Sequence, residues 1–238
     1  MVSAETTALD PDLASEQALR VPCYCEENVW RLAYRRLYYN RHADDDGDSQ
    51  TENDAPTKEY HVVFISNKRK CCPIFHQRAK EDGPCFWDYH VILLVTCSDR
   101  QDPRNESTFV LDMDSRLPYP CTISTYLEDS FDLEYDSKEE MGQFAPCFRI
   151  IPAAVYLNHF FSDRMHMFDR EKLTWSSPPP AYDCIMTGWD GKHTRTSNLD
   201  QYISMERQSH NEEESVFGCV RTLEEMKHEF CRLERRTR

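Results

Sequence analysis

Cys23-Tyr24-Cys25-Glu26-Glu27-Asn28-Val29-Trp30 is the stretch whose reading decides the rest of the chain. Pro22 marks a boundary, and Trp30, Ala33, Tyr34 and Leu37 recur at three- and four-residue spacing, so one helical face is apolar. Glu26 and Glu27 fall in the first turn and Arg31, Arg35 and Arg36 later, as the helix dipole favours. The pattern predicts a helix from about Cys25 to about Tyr39. Cys25 then sits at a helix start, where unpaired N–H groups favour a thiolate and can hold an oxyanion. The two acidic neighbours oppose that thiolate. Most of the 11 cysteines must be small buried hydrophobes. Cys25 as a nucleophile therefore needs a base from elsewhere.

Moving outward, His61 to Asn67 reads as a buried strand, Lys68-Arg69-Lys70 as its turn and Cys72 to Phe75 as a second short strand. Phe86-Trp87-Asp88-Tyr89-His90 leads into Val91-Ile92-Leu93-Leu94-Val95, which is apolar at every position and so should be covered on both faces. After a turn-rich loop, Thr108 to Asp114 is the returning strand. The hairpin brings His90 and Asp112 towards one end of the sheet, and a carboxylate beside an imidazole orients it as a base. Alternation puts Phe109, Leu111 and Met113 on one face and Val110, Asp112 and Asp114 on the other. Periodicity thus leaves Asp112 and Asp114 equally eligible, and both could simply cap the hairpin's end.

Further on, Ser124 to Phe131 and Ala153 to Phe161 read as helices, and Phe148 to Ile151 as a strand. Ser162 to Met167 is a loop carrying His166, Ser176 to Pro180 a rigid connection, and Thr222 to Arg235 a closing amphipathic helix. A helix bearing cysteine, then a largely antiparallel sheet bearing histidine and aspartate, is an α+β plan. Papain-like and transglutaminase-like cysteine hydrolases share that layout.

Bulk properties narrow the field. The 238 residues suit one domain, expected over 21–238 behind a mobile leader at 1–20. An apolar-free acidic run after Asn40 predicts a disordered insertion at about 41–58. Counted from Asp44, calcium-loop position 12 is Ala55 rather than glutamate, so an EF-hand is not expected. Only 6 glycines occur, and no glycine-rich phosphate loop is found. The net charge of −14 argues against nucleic acid as a partner. The longest apolar run, Val91 to Val95, is too short for a membrane span. Without a signal-peptide pattern, the cysteines are expected as reduced thiols in the cytoplasm, with the nucleus as a second location. No paired C-x₂-C spacing supports zinc, so no metal and no cofactor is expected. Nothing demands more than a monomer.

Several motifs together are similar to the N-terminal glutamine amidohydrolase family. They are Cys23 to Asn28, Val63 to Asn67, Trp87-Asp88-Tyr89-His90, Asp112-Met113-Asp114 with Leu117-Pro118, and Tyr126 to Phe131. Ser162-Asp163-Arg164 with His166-Met167, the Pro178 to Pro180 run, and Gly218-Cys219-Val220 continue the likeness, which spans about Pro22 to Phe230. The acidic insertion is longer than the family's pattern, Phe75 stands in a tryptophan position, and Trp189 to Thr196 is extended. The resemblance implies a catalytic triad of Cys25, His90 and Asp112, choosing Cys25 over Cys23 and Asp112 over Asp114. It also implies deamidation of glutamine at the first position of a protein or peptide, giving glutamate and ammonia and feeding the arginylation branch of the N-degron pathway. Restriction to a free N-terminus needs acceptors for the α-ammonium. Glu26, Glu27 and Asp88 are candidates by their nearness in sequence to the triad, with Tyr24 and Trp87 as pocket walls. A related transglutaminase-like or papain-like hydrolase acting on internal glutamine or peptide bonds is the alternative.

Overall fold

A computed structural model of the chain describes residues 13–39, 56–99, 106–131, 142–192, 194–207 and 215–231. The helices are α1 (Leu13–Gln17), α2 (Cys25–Tyr34), α3 (Ile123–Ser130), α4 (Ala153–His159), α5 (Leu199–Ile203) and α6 (Leu223–Phe230). The strands are β1 (Thr57–Ser66), β2 (Cys72–Ile74), β3 (Cys85–Trp87), β4 (His90–Ser98), β5 (Glu106–Leu111), β6 (Cys121–Thr122), β7 (Cys147–Pro152), β8 (Phe168–Asp169), β9 (Thr174–Trp175) and β10 (Cys219–Thr222). Six strands form one antiparallel sheet in the order β10-β7-β1-β4-β5-β6. The fold is α+β with an antiparallel main sheet.

The apolar run in β4 explains the layering. Val91, Leu93 and Val95 alternate with Ile92 and Leu94, and all five are buried. The first set packs with Val29, Leu32 and Ala33 of α2, Tyr156 and Leu157 of α4, and Tyr202 of α5. The second packs with Tyr126 and Leu127 of α3 and Leu223 and Met226 of α6. Helices thus cover both faces of β1 and β4, as an uninterrupted apolar strand requires. α2 continues from Arg35 to Tyr39 as a π-helical turn, so the helical stretch ends where the periodicity places it. Thr222 caps α6 by accepting from the Glu225 N–H at 3.2 Å, and Glu225 returns the bond to the Thr222 N–H at 2.7 Å. Just before β10, Gly218 holds φ 64°, and a Cβ there would meet the Ile150 carbonyl oxygen at 1.9 Å. Only glycine lets that edge strand join β7.

Three expectations change. The returning strand stops at Leu111, and 112–115 turn away rather than continuing the pleat. The Asp112 side chain causes this by accepting from the Asp114 N–H at 2.9 Å, a local bond that competes with the strand ladder. The later part of the 1–20 leader is packed rather than mobile. Glu16 of α1 is 2% exposed and meets buried Arg36 at 2.6 Å, while Arg20 meets Asp114 at 2.6 Å. Thr57 and Lys58, placed in the acidic insertion by their position, belong to β1. Residues 1–12, 41–55 of the insertion and 232–238 lie outside the described residues. β6, β10, α5 and the β8–β9 hairpin are too short to leave a periodic signal. Among the described residues no helix is long and apolar enough to cross a membrane.

Candidate active site

Cys25 opens α2, with Tyr24 as an N-cap that supplies no side-chain bond to the helix. Asn28 fixes the approach of the chain, donating to the Val21 carbonyl at 2.8 Å and accepting from its N–H at 2.9 Å. Cys23, in the turn before the helix, adopts left-handed backbone at φ 66°. β4 begins at His90, and the Val91 N–H reaches the Cys25 sulfur. The first turn of α2 and the first residues of β4 therefore meet.

His90 Nε2 lies 3.0 Å from Asp112 Oδ2, and both side chains are 2% exposed. Straight continuation of the β4–β5 register, which sets Leu93 opposite Leu111, would bring Asp114 opposite His90. The turn after Leu111 presents Asp112 instead, and Asp114 turns to Arg20. Geometry separates two carboxylates that alternation cannot. Asp112 also accepts from Tyr126 Oη at 2.9 Å and Gln77 Nε2 at 3.3 Å. Burial alone would raise its pKa, but His90, Tyr126 and the Asp114 N–H outweigh burial and hold it below the usual carboxylate range. Burial likewise pulls His90 down, yet Asp112, with Asp114 behind it, moves the imidazole upward. The ring of Trp87 stacks on His90 at 6.1 Å and 19°. Its indole N–H is buried and finds no acceptor among the described residues.

Cys25 departs from expectation. Its thiol pKa is pushed well up, first by burial, then by the charge of Glu26. Helix-start N–H groups do not overcome these two effects, so the sulfur rests as a thiol. Nε2 is close to Asp112 without meeting it in hydrogen-bond geometry, and Nδ1 is the other nitrogen available to take a proton.

The other named residues divide. Cys25, His90, Trp87, Asp88 and His166 line one cavity of about 450 Å³, with Tyr89, Asp163 and Asp200 on the same wall. Tyr24 is fully buried and donates to the Ser177 carbonyl at 3.0 Å, tying the proline-rich connection to the helix start. Both Glu27 oxygens are taken by Arg164, at 2.7 Å each. Arg164 also donates to the carbonyls of Tyr182 and Asp183 at 2.8 and 3.1 Å. Asp88 accepts from the Tyr89 N–H at 3.0 Å. Glu26 is fully buried; Oε2 accepts from Tyr89 Oη at 3.0 Å and lies 3.8 Å from the Cys25 sulfur. Its Oε1 accepts no hydrogen bond from the described residues, and His166 Nε2 stands 3.6 Å away. Burial raises the Glu26 pKa to about 7, and burial lowers that of His166. Both groups lean towards neutrality.

Sequence reasoning assigns no role to Gln77 or Tyr126, whose only signal is spatial. No group of three or more His, Cys, Asp or Glu side chains among the described residues could hold a metal ion. A thiol and an imidazole lining one cavity, with a carboxylate beside the imidazole, are the groups that nucleophilic attack on an electrophilic carbon requires.

The N-terminal glutamine amidase family matches the chain over residues 20–230. A protein N-terminal glutamine amidohydrolase of Homo sapiens is 41% identical over 209 residues, covering 87% of this chain and 85% of that protein. The protein of the same name in Bos taurus is 41% identical over 209 residues, with 87% and 84% covered. That of Arabidopsis thaliana is 34% identical over 206 residues, with 86% and 81% covered.

Proposed function

The chain belongs to the N-terminal glutamine amidase family, and from that premise we propose that it deamidates glutamine at the first position of proteins and peptides. The observation that carries the residue assignment is the meeting of the α2 start with the β4 start, where His90 Nε2 stands 3.0 Å from Asp112 Oδ2. A cysteine on a helix start facing a sheet-borne histidine and aspartate is the layout of papain-like and transglutaminase-like hydrolases, and we assign the fold to that group.

His90 accepts the Cys25 proton as the sulfur attacks the side-chain amide carbon, and Asp112 holds the ring and stabilises its cation. Because the resting sulfur is a thiol, this transfer accompanies attack rather than preceding it. We assign the developing oxyanion to N–H groups at the start of α2. The imidazolium protonates the amide nitrogen, ammonia departs, and a thioester remains on Cys25. His90 then takes a proton from water, the hydroxide adds to the thioester carbon, and the sulfur leaves with its proton restored. The products are glutamate and ammonia. Every proton moves among Cys25, His90, the amide and water.

Among the three acids near the triad, Glu26 is the acceptor for the substrate's α-ammonium. It has a bare buried oxygen behind the pocket wall, whereas Arg164 occupies Glu27. Reduced thiols suit the cytoplasm or nucleus and the N-degron pathway, with the protein acting as a monomer.

Ammonia release from a peptide beginning with glutamine tests the reading, with its N-acetylated twin and Cys25→Ala as controls. Release is expected only with a free N-terminus and an intact Cys25. Equal turnover of the acetylated twin would instead indicate an internal-glutamine deamidase, and no release from folded protein would overturn the reading.

A further inference from the structure

Glu26 stands in two relationships at once. Through Oε2 it is 3.8 Å from the sulfur of Cys25. Through Oε1 it faces His166 on the wall of the cavity, with no donor from the described residues. A buried carboxylate oxygen that takes no hydrogen bond from the described residues is best satisfied by a cationic donor. The carboxylate also opposes the charge that Cys25 must acquire. We propose that Glu26 restrains Cys25 until the substrate's own α-ammonium binds Oε1 and neutralises it, so that a free N-terminus is read by the chemical step as well as by binding. This rests on the N-terminal glutamine reading above.

Of the bases near Glu26, His166 stands 3.6 Å from Oε1, and burial works against its carrying a charge. Glu27 faces the same interior, but Arg164 is committed to it. Tyr89 donates to Oε2, and Tyr156 of α4 donates to the Glu26 backbone carbonyl at 3.2 Å. Tyr89 Oη also stands 3.4 Å from His166 Nε2, on the imidazole whose charge burial opposes. Asp88, Asp163 and Asp200 line the cavity and draw a cation inward. At roughly 4 Å, in a site screened less than water, one negative charge strongly suppresses thiolate formation, and a cation on its far oxygen removes most of that field. A Glu26 that is protonated when substrate arrives releases its proton to solvent as the ion pair forms. No other atom changes hands. An acetylated N-terminus brings no charge, so the sulfur stays restrained even if the glutamine side chain enters.

The test is Glu26→Gln, which keeps the shape and removes the charge. Turnover is measured on the free and acetylated glutamine peptides, and iodoacetamide labelling is followed at Cys25 by peptide mass. The proposal predicts that kcat/KM for the free peptide falls about 100-fold. It predicts that the acetylated twin is turned over about tenfold faster than by wild type, and that Cys25 labels correspondingly faster. A loss on the free peptide with acetylated turnover and labelling unchanged would make Glu26 a simple anchor. That outcome would overturn the restraint while leaving the deamidation reading intact. A loss on both peptides would make Glu26 structural and likewise overturn it. Should the variant not fold, wild type carries the same test. An isolated thiol labels about tenfold faster per pH unit below its pKa. Cys25 should show a flattened rise near pH 7 as Glu26 ionises, and an unbroken rise would overturn the proposal.

Discussion

Glu26 and Glu27 are neighbours in the same helical turn, both fully buried, yet their surroundings differ completely. Glu27 has a bidentate Arg164, which in turn staples the Tyr182–Asp183 segment to α2. Glu26 has one hydroxyl, a thiol and an oxygen that takes no hydrogen bond from the described residues, 3.6 Å from His166. One pair is complete and holds the fold together; the other is incomplete and lies behind the cavity wall, against His166. The difference teaches that burial by itself does not separate structural from functional charge. Between these two glutamates, the count of satisfied oxygens does. Asp112 is a third buried carboxylate, and it too is well supplied, by Tyr126, Gln77 and the Asp114 N–H beside His90.

The comparison can be broken most forcefully at Arg164. Arg164→Met strands a buried Glu27 charge and should cost about 3–5 kcal/mol in urea unfolding at pH 8. A loss under 1 kcal/mol would remove the distinction between the two glutamates. Next comes Glu26→Gln, with the opposite sign. The fold raises the Glu26 pKa from 4.5 to about 7, so its contribution to stability is fully present below pH 4.5 and is lost as pH rises through 7. The glutamine variant, which does not titrate, should therefore gain roughly 2–3 kcal/mol on wild type at pH 8 relative to pH 5. Equal differences at both pH values would contradict this. Tyr126→Phe removes a hydroxyl from a charged acceptor, worth about 1.5–3 kcal/mol. It should lower kcat/KM for a glutamine-initiated peptide about tenfold or more while leaving the free-to-acetylated ratio unchanged, since Asp112 is remote from the ammonium. Smallest is Cys23→Gly, which relieves left-handed backbone at φ 66° and should stabilise by up to about 1 kcal/mol in thermal melts.

Ammonium capture also sets a pH window. Glu26 must be ionised, which favours pH above about 7, and the substrate amine must be protonated, which favours pH below about 8. The profile of kcat/KM for the free peptide should fall on both sides of that interval.

The parts of this arrangement that were legible beforehand rest on strong local physics. The apolar spacing after Cys25 marks α2, and five consecutive apolar residues from Val91 announce a strand covered on both faces. The hairpin that follows brings His90 close to an aspartate. Which aspartate is decided by a side-chain bond from Asp112 to the Asp114 N–H that ends the strand at Leu111, and alternation is blind to such a bond. Gln77 and Tyr126 reach Asp112 from separate segments, and Arg164 reaches Glu27 across 137 positions. Contacts of that range leave no trace in periodicity. The charged run near α2 did reveal two acids, but not that one would be saturated and the other bare.

The most direct test is rapid acid quenching of the enzyme during turnover of a glutamine-initiated peptide, followed by mass analysis of the digested protein. The account predicts an adduct equal to the peptide less one ammonia on the segment containing Cys25, absent with the acetylated twin. Ammonia release without that adduct, or an adduct on another cysteine, would contradict it.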